Sequence, residues 1–323
     1  MFRSRKRVTF ENFLSGTPAR DYVFQDIPYE EQVKRAAHMI EKAGYILVGA
    51  GAGVSAAAGI ASGKDFFRKN FGDFIEKYPG PYMQDMYSAG FYPFPTEEAK
   101  WGYWSKHALK GLNDGRPGEL YGQIVKLLKG KNYFVLTTNV DEQFPAAGVP
   151  AERIFATQGS YGRIQCRRGC HPRTYDGTEM FRQMDQARKD CCIPSYMVPK
   201  CPVCGGPMEM NLRCDNHFVQ DEAWYMAEER FSDFLQEAKD SKKPVCLLEM
   251  GTGFNTPTII RFPFEKLARE HENVCLVRLN LEEAMVPESL GERTVGINAD
   301  LKASIGDILL ATASKGDGTD EGF

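Results

Sequence analysis

Three groups of residues in this chain have types and spacings suited to chemistry. The first is Gly51-Ala52-Gly53-Val54-Ser55-Ala56, which follows the apolar run Tyr45–Val48 and leads into an alanine-rich stretch ending at Gly59. Glycines at such a point let the backbone turn tightly and approach a pyrophosphate, and the helix that follows offers N–H groups and a positive dipole end. Gly51-x-Gly53-x-x-Ala56 in a strand–loop–helix setting therefore points to a dinucleotide, against the plainer reading of a tight turn with no ligand. A hydride-transferring enzyme would place an acid about 20 residues further on, at a strand end, to hold the ribose. Asp65 and Asp73 are available, but they lie in aromatic, loop-like sequence, so the expectation is NAD held in an unusual way.

The second group is cysteine. Cys201-Pro-Val-Cys204-Gly-Gly206 has the form of a zinc knuckle, and Cys166-Arg-Arg-Gly-Cys170 is a partner with three intervening residues. Four thiolates make a closed, tetrahedral, structural zinc site. Cys191, Cys192, Cys214 and His171 are alternative donors nearby, and free, partly buried cysteines are the plain reading. Arg163, Arg167, Arg168 and Arg173 make the first knuckle basic, as in a nucleic-acid zinc ribbon, but a net charge of -3 favours a scaffold role.

The third group is a set of polar segments, each directly after an apolar run: Thr137-Thr138-Asn139-Val140-Asp141, Thr157-Gln158-Gly159-Ser160, Gly251-Thr252-Gly253-Phe254-Asn255 and Asn280. Each alone is compatible with a turn. Ligands of open α/β sheets bind at the carboxyl ends of strands, and four such ends in one chain are harder to dismiss as turns.

The elements that must position these groups follow from periodicity. Tyr29–Lys42 has Val33, Ala36, Ala37 and Ile40 on one helical face, with Gly44 as its stop signal. Tyr45–Val48, Tyr133–Leu136, Arg153–Ala156, Val245–Leu248, Val274–Val277 and Thr294–Asn298 read as strands. Tyr121–Leu128, Glu222–Ala238 and Leu301–Ala311 read as helices. This rhythm predicts an α/β fold, a doubly wound and mostly parallel Rossmann-like sheet covered on both faces. Residues 62–120 are aromatic and read as helices and loops. Between Tyr161 and Asp221 the chain turns Cys-, Arg-, Pro- and Met-rich with little periodicity. The organisation expected is an N-terminal arm over 1–27, a dinucleotide-binding domain over 28–160 and 221–312, an inserted zinc-binding module over 161–220, and a flexible tail over 313–323.

Composition narrows the class. An apolar fraction of 42% against 26% charged suits a globular enzyme, and a pI near 6.0 gives no general attraction to nucleic acid or anionic membrane. No run approaches the roughly 18 apolar residues of a membrane span. Nine cysteines without a secretory h-region fit a reducing, cytoplasmic setting; the Arg-rich start leaves an organellar address as the alternative.

Taken in order, these segments resemble the sirtuins, the NAD-dependent protein deacylase family, from about Gln32 to Leu310. Gly51–Ser55 with Gly59-Ile60 resembles the first NAD motif of that family, and Thr138-Asn139-Val140-Asp141 its Gln-Asn-Ile-Asp segment with Thr for Gln. Gly251-Thr252 resembles its Gly-Thr-Ser segment, and Asn280 the asparagine that holds the adenosine ribose. Asp65-Phe66-Phe67-Arg68 resembles its Pro-Asp-Phe-Arg segment, displaced by the inserted Ala61–Lys64. The Phe-Gly-Glu strand expected after the zinc module reads His217-Phe-Val-Gln-Asp221 here. The resemblance implies the sirtuin fold and NAD contacts at Ala52, Gly53, Ala56, Phe66, Arg68, Thr138, Gly251, Thr252 and Asn280. It implies catalytic roles for Asn139, Asp141 and Gln158, and zinc on Cys166, Cys170, Cys201 and Cys204.

The departure that matters most is Gln158-Gly159 where the family has His-Gly. Deacylation needs a base on a ribose hydroxyl, and histidine titrates in the working range. Glutamine can hydrogen-bond but cannot take and hold a proton. Breaking the nicotinamide glycosidic bond needs only orientation and electrostatic support. Loss of the base with retention of Asn139 therefore predicts NAD cleavage without efficient deacylation; if the attacking group is a protein side chain, the product is ADP-ribosylated protein. The macrodomain-linked sirtuins of microbes, class M, share this glutamine; the resemblance to that branch implies this transferase activity, with a lipoylated carrier protein of the glycine-cleavage H type as acceptor and a macrodomain hydrolase as functional partner. The competing readings are a lysine deacylase, a non-catalytic NAD-binding regulator, and simple NAD hydrolysis.

Overall fold

The structure is a computed structural model, and it describes residues 19–60 and 63–313. Most of the expected arm, two of the inserted residues before Asp65, and the tail past residue 313 lie outside these. In chain order the first elements are β1 (Tyr22–Val23), α1 (Tyr29–Lys42), β2 (Tyr45–Ala50), α2 (Ala52–Ala57), α3 (Lys64–Lys77), α4 (Met86–Ala89), α5 (Glu97–Gly111) and α6 (Glu119–Leu128). Then come β3 (Tyr133–Thr137), α7 (Gln143–Ala146), β4 (Ile154–Ala156), β5 (Gly159–Cys166), β6 (Thr174–Asp176), α8 (Thr178–Ala187) and β7 (Met208–Leu212). The last are α9 (Glu222–Asp240), β8 (Val245–Met250), α10 (Arg261–Glu270), β9 (Val274–Asn280), β10 (Val286–Pro287), β11 (Thr294–Asn298) and α11 (Leu301–Ala313). The described residues divide into two compact units, residues 19–57, 122–138 and 230–313, and residues 58–60, 63–121 and 139–229.

The first unit is the doubly wound α/β core. Its strands run parallel in the order β11-β9-β8-β2-β3. Every residue of β2 and β8 is buried, as expected of largely apolar strands in a sheet covered on both faces. Helix α1 buries the face read from the sequence, Val33, Ala36, Ala37 and Ile40. Gly44 has a different reason from the one expected. It is not a left-handed helix cap; a Cβ there would lie 2.8 Å from Lys243 Cβ, so glycine is required by close approach of the chains. The N-terminal stretch is tied down from residue 19 onward. β1 pairs antiparallel with β10, Tyr22 Oη donates to Glu265 at 2.6 Å, and the Gln25 amide bridges Thr294 O and Gly296 N.

The second unit contains structure that periodicity missed. β6, β5 and β7 form an antiparallel sheet in that order, with Ile164 paired to Met210 and Cys166 to Met208. Met208 and Met210 of β7 and Phe181 and Met184 of α8 enter one buried cluster with Ile164 and with Trp101, Ala108 and Leu109 of α5. The Cys-rich block thus shares its core with the helix that precedes it. A second cluster is half aromatic: Phe67, Phe71 and Phe74 of α3 with Tyr78 and Tyr103 pack among Met83, Met86, Ala89, Ala99 and Cys191. Its rings meet edge-on, tilted and offset, with Phe71 and Phe74 centroids 5.5 and 5.4 Å from that of Tyr103.

Candidate NAD-binding loops, catalytic loops and zinc centre

In the first unit the loops after β2 and β8 touch backbone to backbone. Gly53 N–H donates to Gly251 C=O at 3.0 Å, and Gly251 N–H to Leu279 C=O at 3.0 Å. A Cβ on Gly53 would sit 2.7 Å from Gly251 Cα, and Gly251 itself adopts φ +60°. Loop packing alone therefore demands glycine at both positions. Ala52 and Ala56 are exposed on α2, Gly53 is half-buried, and Thr138 N–H donates to Ala50 C=O at 3.1 Å. Asn280 braces these loops: its amide donates to Thr252 C=O at 2.7 Å while its Oδ1 accepts from the N–H groups of Glu282 and Glu283.

Behind them lies a buried charge network that sequence reading missed. Arg278 donates in bidentate fashion to Glu249, both bonds 2.8 Å, and also reaches Glu265 at 2.8 Å. Arg261 donates to the carbonyls of Thr252, Glu283 and Met285. Thr252 Oγ1 donates to Glu249. Burial opposes ionisation of Glu249, but Arg278 and Arg261 beside it prevail and hold its carboxyl below the ordinary glutamate range. A signal existed: one charge stands in each of two otherwise apolar strands, and the sheet register sets Glu249 opposite Arg278.

In the second unit Asn139 and Asp141 are buried, at 8% and 6% exposure, and are joined through Tyr121. The Asn139 amide donates to Tyr121 Oη at 3.2 Å, and that hydroxyl donates to Asp141 Oδ2 at 3.2 Å. Asp141 Oδ1 accepts from Gln143 N–H at 3.2 Å. Gln158 sits half-buried in the turn between β4 and β5. Its carbonyl accepts from Arg213 N–H at 3.0 Å, and the Arg213 guanidinium lies 4.7 Å over the Phe218 ring. The next residue must be glycine: Gly159 has φ +92°, and a Cβ there would meet Asn211 O at 2.0 Å. Tyr121 and Arg213 are the neighbours that sequence reading did not single out; neither lies in a recognisable motif. Phe66 packs half-buried on the aromatic cluster, and Arg68 is exposed beside Asp65. Among the described residues neither bonds to Asn139, Asp141 or Gln158.

The sulfurs of Cys166, Cys170, Cys201 and Cys204 all lie within 4.8 Å of one another. Cys166 and Cys204 are 3.7 Å apart and Cys170 and Cys201 3.6 Å. A tetrahedral zinc with Zn–S near 2.3 Å requires about 3.8 Å between sulfurs, so the cluster fits a structural zinc site. Arg168 beside Cys204, with the Gly206 N–H, pulls that thiol down to about 6, toward the thiolate a metal needs. His171 contributes outside the four: its Nδ1 is 3.1 Å from Cys170 Sγ and its Nε2 2.7 Å from Tyr175 Oη. Cys191 is buried in the aromatic cluster, away from this centre.

These features coincide with a known family. Residues 51–254 match the Sir2 family. A protein ADP-ribosyltransferase of Staphylococcus aureus strain Mu50 is 34% identical over 294 residues, 90% of each chain. The chain belongs to the Sir2 family. A Fusarium oxysporum f. sp. cubense protein named "Probable bifunctional ADP-ribose hydrolase/ADP-ribosyltransferase" is 33% identical over 78% of this chain and 43% of its own. Among solved structures, a Sir2 homologue in complex with NAD aligns over 92% of this chain and 99% of its own, with TM-score 0.57 at 16% identity. A second Sir2 enzyme aligns over 88% and 99%, with TM-score 0.52 at 16% identity. At that identity they establish the sirtuin Rossmann-like fold, the architecture read from the strand–helix rhythm. Sir2 proteins use NAD, so the polar strand ends and glycine loops belong to an NAD-dependent family. Among the described residues no helix is long and apolar enough to cross a membrane.

Proposed function

We propose that this Sir2-family protein is an NAD-dependent protein ADP-ribosyltransferase whose acceptor is a lipoylated carrier protein of the glycine-cleavage H type. The observation that carries the reading is an amide, Gln158, at the position where deacylation needs a base. Two relatives at 34% and 33% identity are named as ADP-ribosyltransferases, which supports the same chemistry. The second of these joins a hydrolase to the transferase by name, which supports a macrodomain-type hydrolase as functional partner. A reducing, cytoplasmic setting suits nine cysteines.

In this reading the bond between nicotinamide N1 and ribose C1′ breaks, and nicotinamide leaves neutral with the bonding pair. A nucleophilic side chain of the acceptor attacks C1′, and its proton passes to solvent. Asn139, its amide held by Tyr121, orients the nicotinamide ribose and the attacking group. Asp141, kept in place by Tyr121 and the Gln143 N–H, supplies negative charge near the developing oxocarbenium centre. Gln158 orients the acceptor or a ribose hydroxyl without taking a proton. Ala52, Gly53, Ala56, Thr138, Gly251, Thr252, Asn280, Phe66 and Arg68 are the assigned NAD contacts. The zinc centre shapes the second unit and takes no part in bond breaking.

The test is intact-mass measurement of a lipoylated H-type carrier incubated with enzyme and NAD, with wild type, Asn139→Ala and Gln158→Ala side by side. One added ADP-ribose, lost in both variants, is the expected result. Nicotinamide release without carrier modification would overturn the acceptor; deacylation of an acyl-lysine peptide at a comparable rate would overturn the transferase.

A further inference from the structure

The loop that carries Asn139 and the turn that carries Gln158 are joined by two links. Tyr161 N–H donates to Val140 C=O at 2.8 Å. Beside it, Ser160 Oγ donates to the Glu142 carboxylate, and the same Oγ accepts from Gly162 N–H at 2.8 Å. The second link depends on separate accommodations. Glu142 takes φ +55°, a left-handed conformation uncommon outside glycine and asparagine. Gly162 leaves room for its carboxylate, since a Cβ there would lie 2.8 Å from Glu142 Oε1. Glu142 also stands at the N-cap of α7, where an acidic side chain ordinarily accepts from the first helical N–H groups. Here it makes no capping bond and turns to Ser160 instead.

That arrangement answers a need created by Gln158. A neutral amide acts by where it points, and a displacement of about 1 Å at a reacting centre costs on the order of 100-fold in rate. Among the described residues the Gln158 side chain has no hydrogen-bond partner, so its place is set by its backbone. Its carbonyl is fixed by Arg213 N–H, and the chain beyond that carbonyl reaches Ser160 within two residues. We propose that Glu142 is a positioning residue for cleavage of the glycosidic bond: through Ser160 it sets where Gln158 presents its amide relative to Asn139. The inference rests on the reading of Gln158 as part of the reacting centre.

The test follows nicotinamide release from NAD with acceptor present, and melting temperature, for Glu142→Ala, Glu142→Gln and Ser160→Ala, each with and without Gln158→Ala. Glu142→Ala is expected to lower kcat about tenfold with KM for NAD within about twofold. Glu142→Gln keeps turnover within about threefold, because its amide oxygen still accepts from Ser160. Ser160→Ala matches Glu142→Ala and adds nothing to it, and none of these lowers turnover further once Gln158 is alanine. Wild-type turnover in Glu142→Ala alongside an impaired Gln158→Ala overturns the positioning role alone. Wild-type turnover in Gln158→Ala overturns the Gln158 reading and the proposal with it. Additive losses from Glu142→Ala and Ser160→Ala, or a loss that tracks a fall in melting temperature, also overturn it.

Discussion

The two units hold their functional loops by opposite means. In the first, Gly251, Thr252 and Asn280 are fixed by backbone contact and by four buried ions, Glu249, Arg261, Glu265 and Arg278, none more than 1% exposed at the side chain. In the second, Asn139 and Asp141 are held by bonds to the Tyr121 hydroxyl and the Gln143 N–H, and the Gln158 carbonyl by the Arg213 N–H. Fully desolvated charges have no water to fall back on, so a change in the first set costs the fold. A change in the second costs orientation, because the surrounding core stays intact. The difference teaches where stability and turnover should separate in this protein.

The largest effect should come from the exception in the second unit, its sulfur cluster. Four converging thiolates repel one another unless a cation sits between them, and structural zinc contributes folding energy outright. Removing zinc with a strong chelator, or replacing Cys201 with serine, is expected to lower the melting temperature by on the order of 10 °C or more. Calorimetry with zinc quantified in parallel checks it. Melting of Cys201→Ser at the wild-type temperature would remove zinc from the account of this unit.

Next is the ion network. Arg278→Met leaves Glu249 and Glu265 buried without their main partner, a loss of about 3–5 kcal/mol. The loss has a pH signature. In the wild type Glu249 is held below the ordinary glutamate value, so its contribution is complete above that value and declines as pH falls through the folded-state value. Without Arg278, burial is the leading influence left and pushes the carboxyl up, so the variant is stabilised by acid. The gap between wild type and Arg278→Met in urea unfolding should therefore narrow as pH drops from 7 toward about 4. A gap independent of pH would show that Glu249 does not carry the network.

The same contrast governs what the sequence discloses. Core strands covered on both faces appear as largely apolar runs, so β2, β3, β8, β9 and β11 are legible, as is the α1 face of Val33, Ala36, Ala37 and Ile40. Glycine loops and cysteine knuckles are legible because local geometry demands those residue types. The sheet β6-β5-β7 is not: its core residues are methionines and an isoleucine scattered among Arg, Gln and Glu, and its β5–β7 pairing joins residues more than forty apart. Tyr121 and Arg213 are equally hidden, since nothing beside them in sequence indicates the loops they meet. Gly44 shows the reverse error, a local signal read as a cap where a distant chain was the cause.

The smallest expected change in stability, and the sharpest test of the comparison, is Tyr121→Phe. The ring stays in its buried place against Phe144, centroids 4.9 Å apart, and only the hydroxyl is lost. Asp141 then lacks one donor and Asn139 one acceptor, a stability loss of about 1–2 kcal/mol. Turnover should fall further than that figure suggests. The Tyr121 hydroxyl determines which end of the Asn139 amide faces it, because it accepts from nitrogen and gives its own proton to Asp141. With the hydroxyl gone the amide loses that constraint, and kcat for nicotinamide release should drop about tenfold or more with KM for NAD little changed. Arg278→Met should show the inverse pattern, a large fall in stability with kcat per folded molecule nearly retained below its melting temperature. Equal ratios of kcat loss to stability loss in the two variants would mean that the units do not differ in how they hold their loops. A kcat in Tyr121→Phe within about twofold of wild type would mean that Asn139 keeps its orientation through other partners.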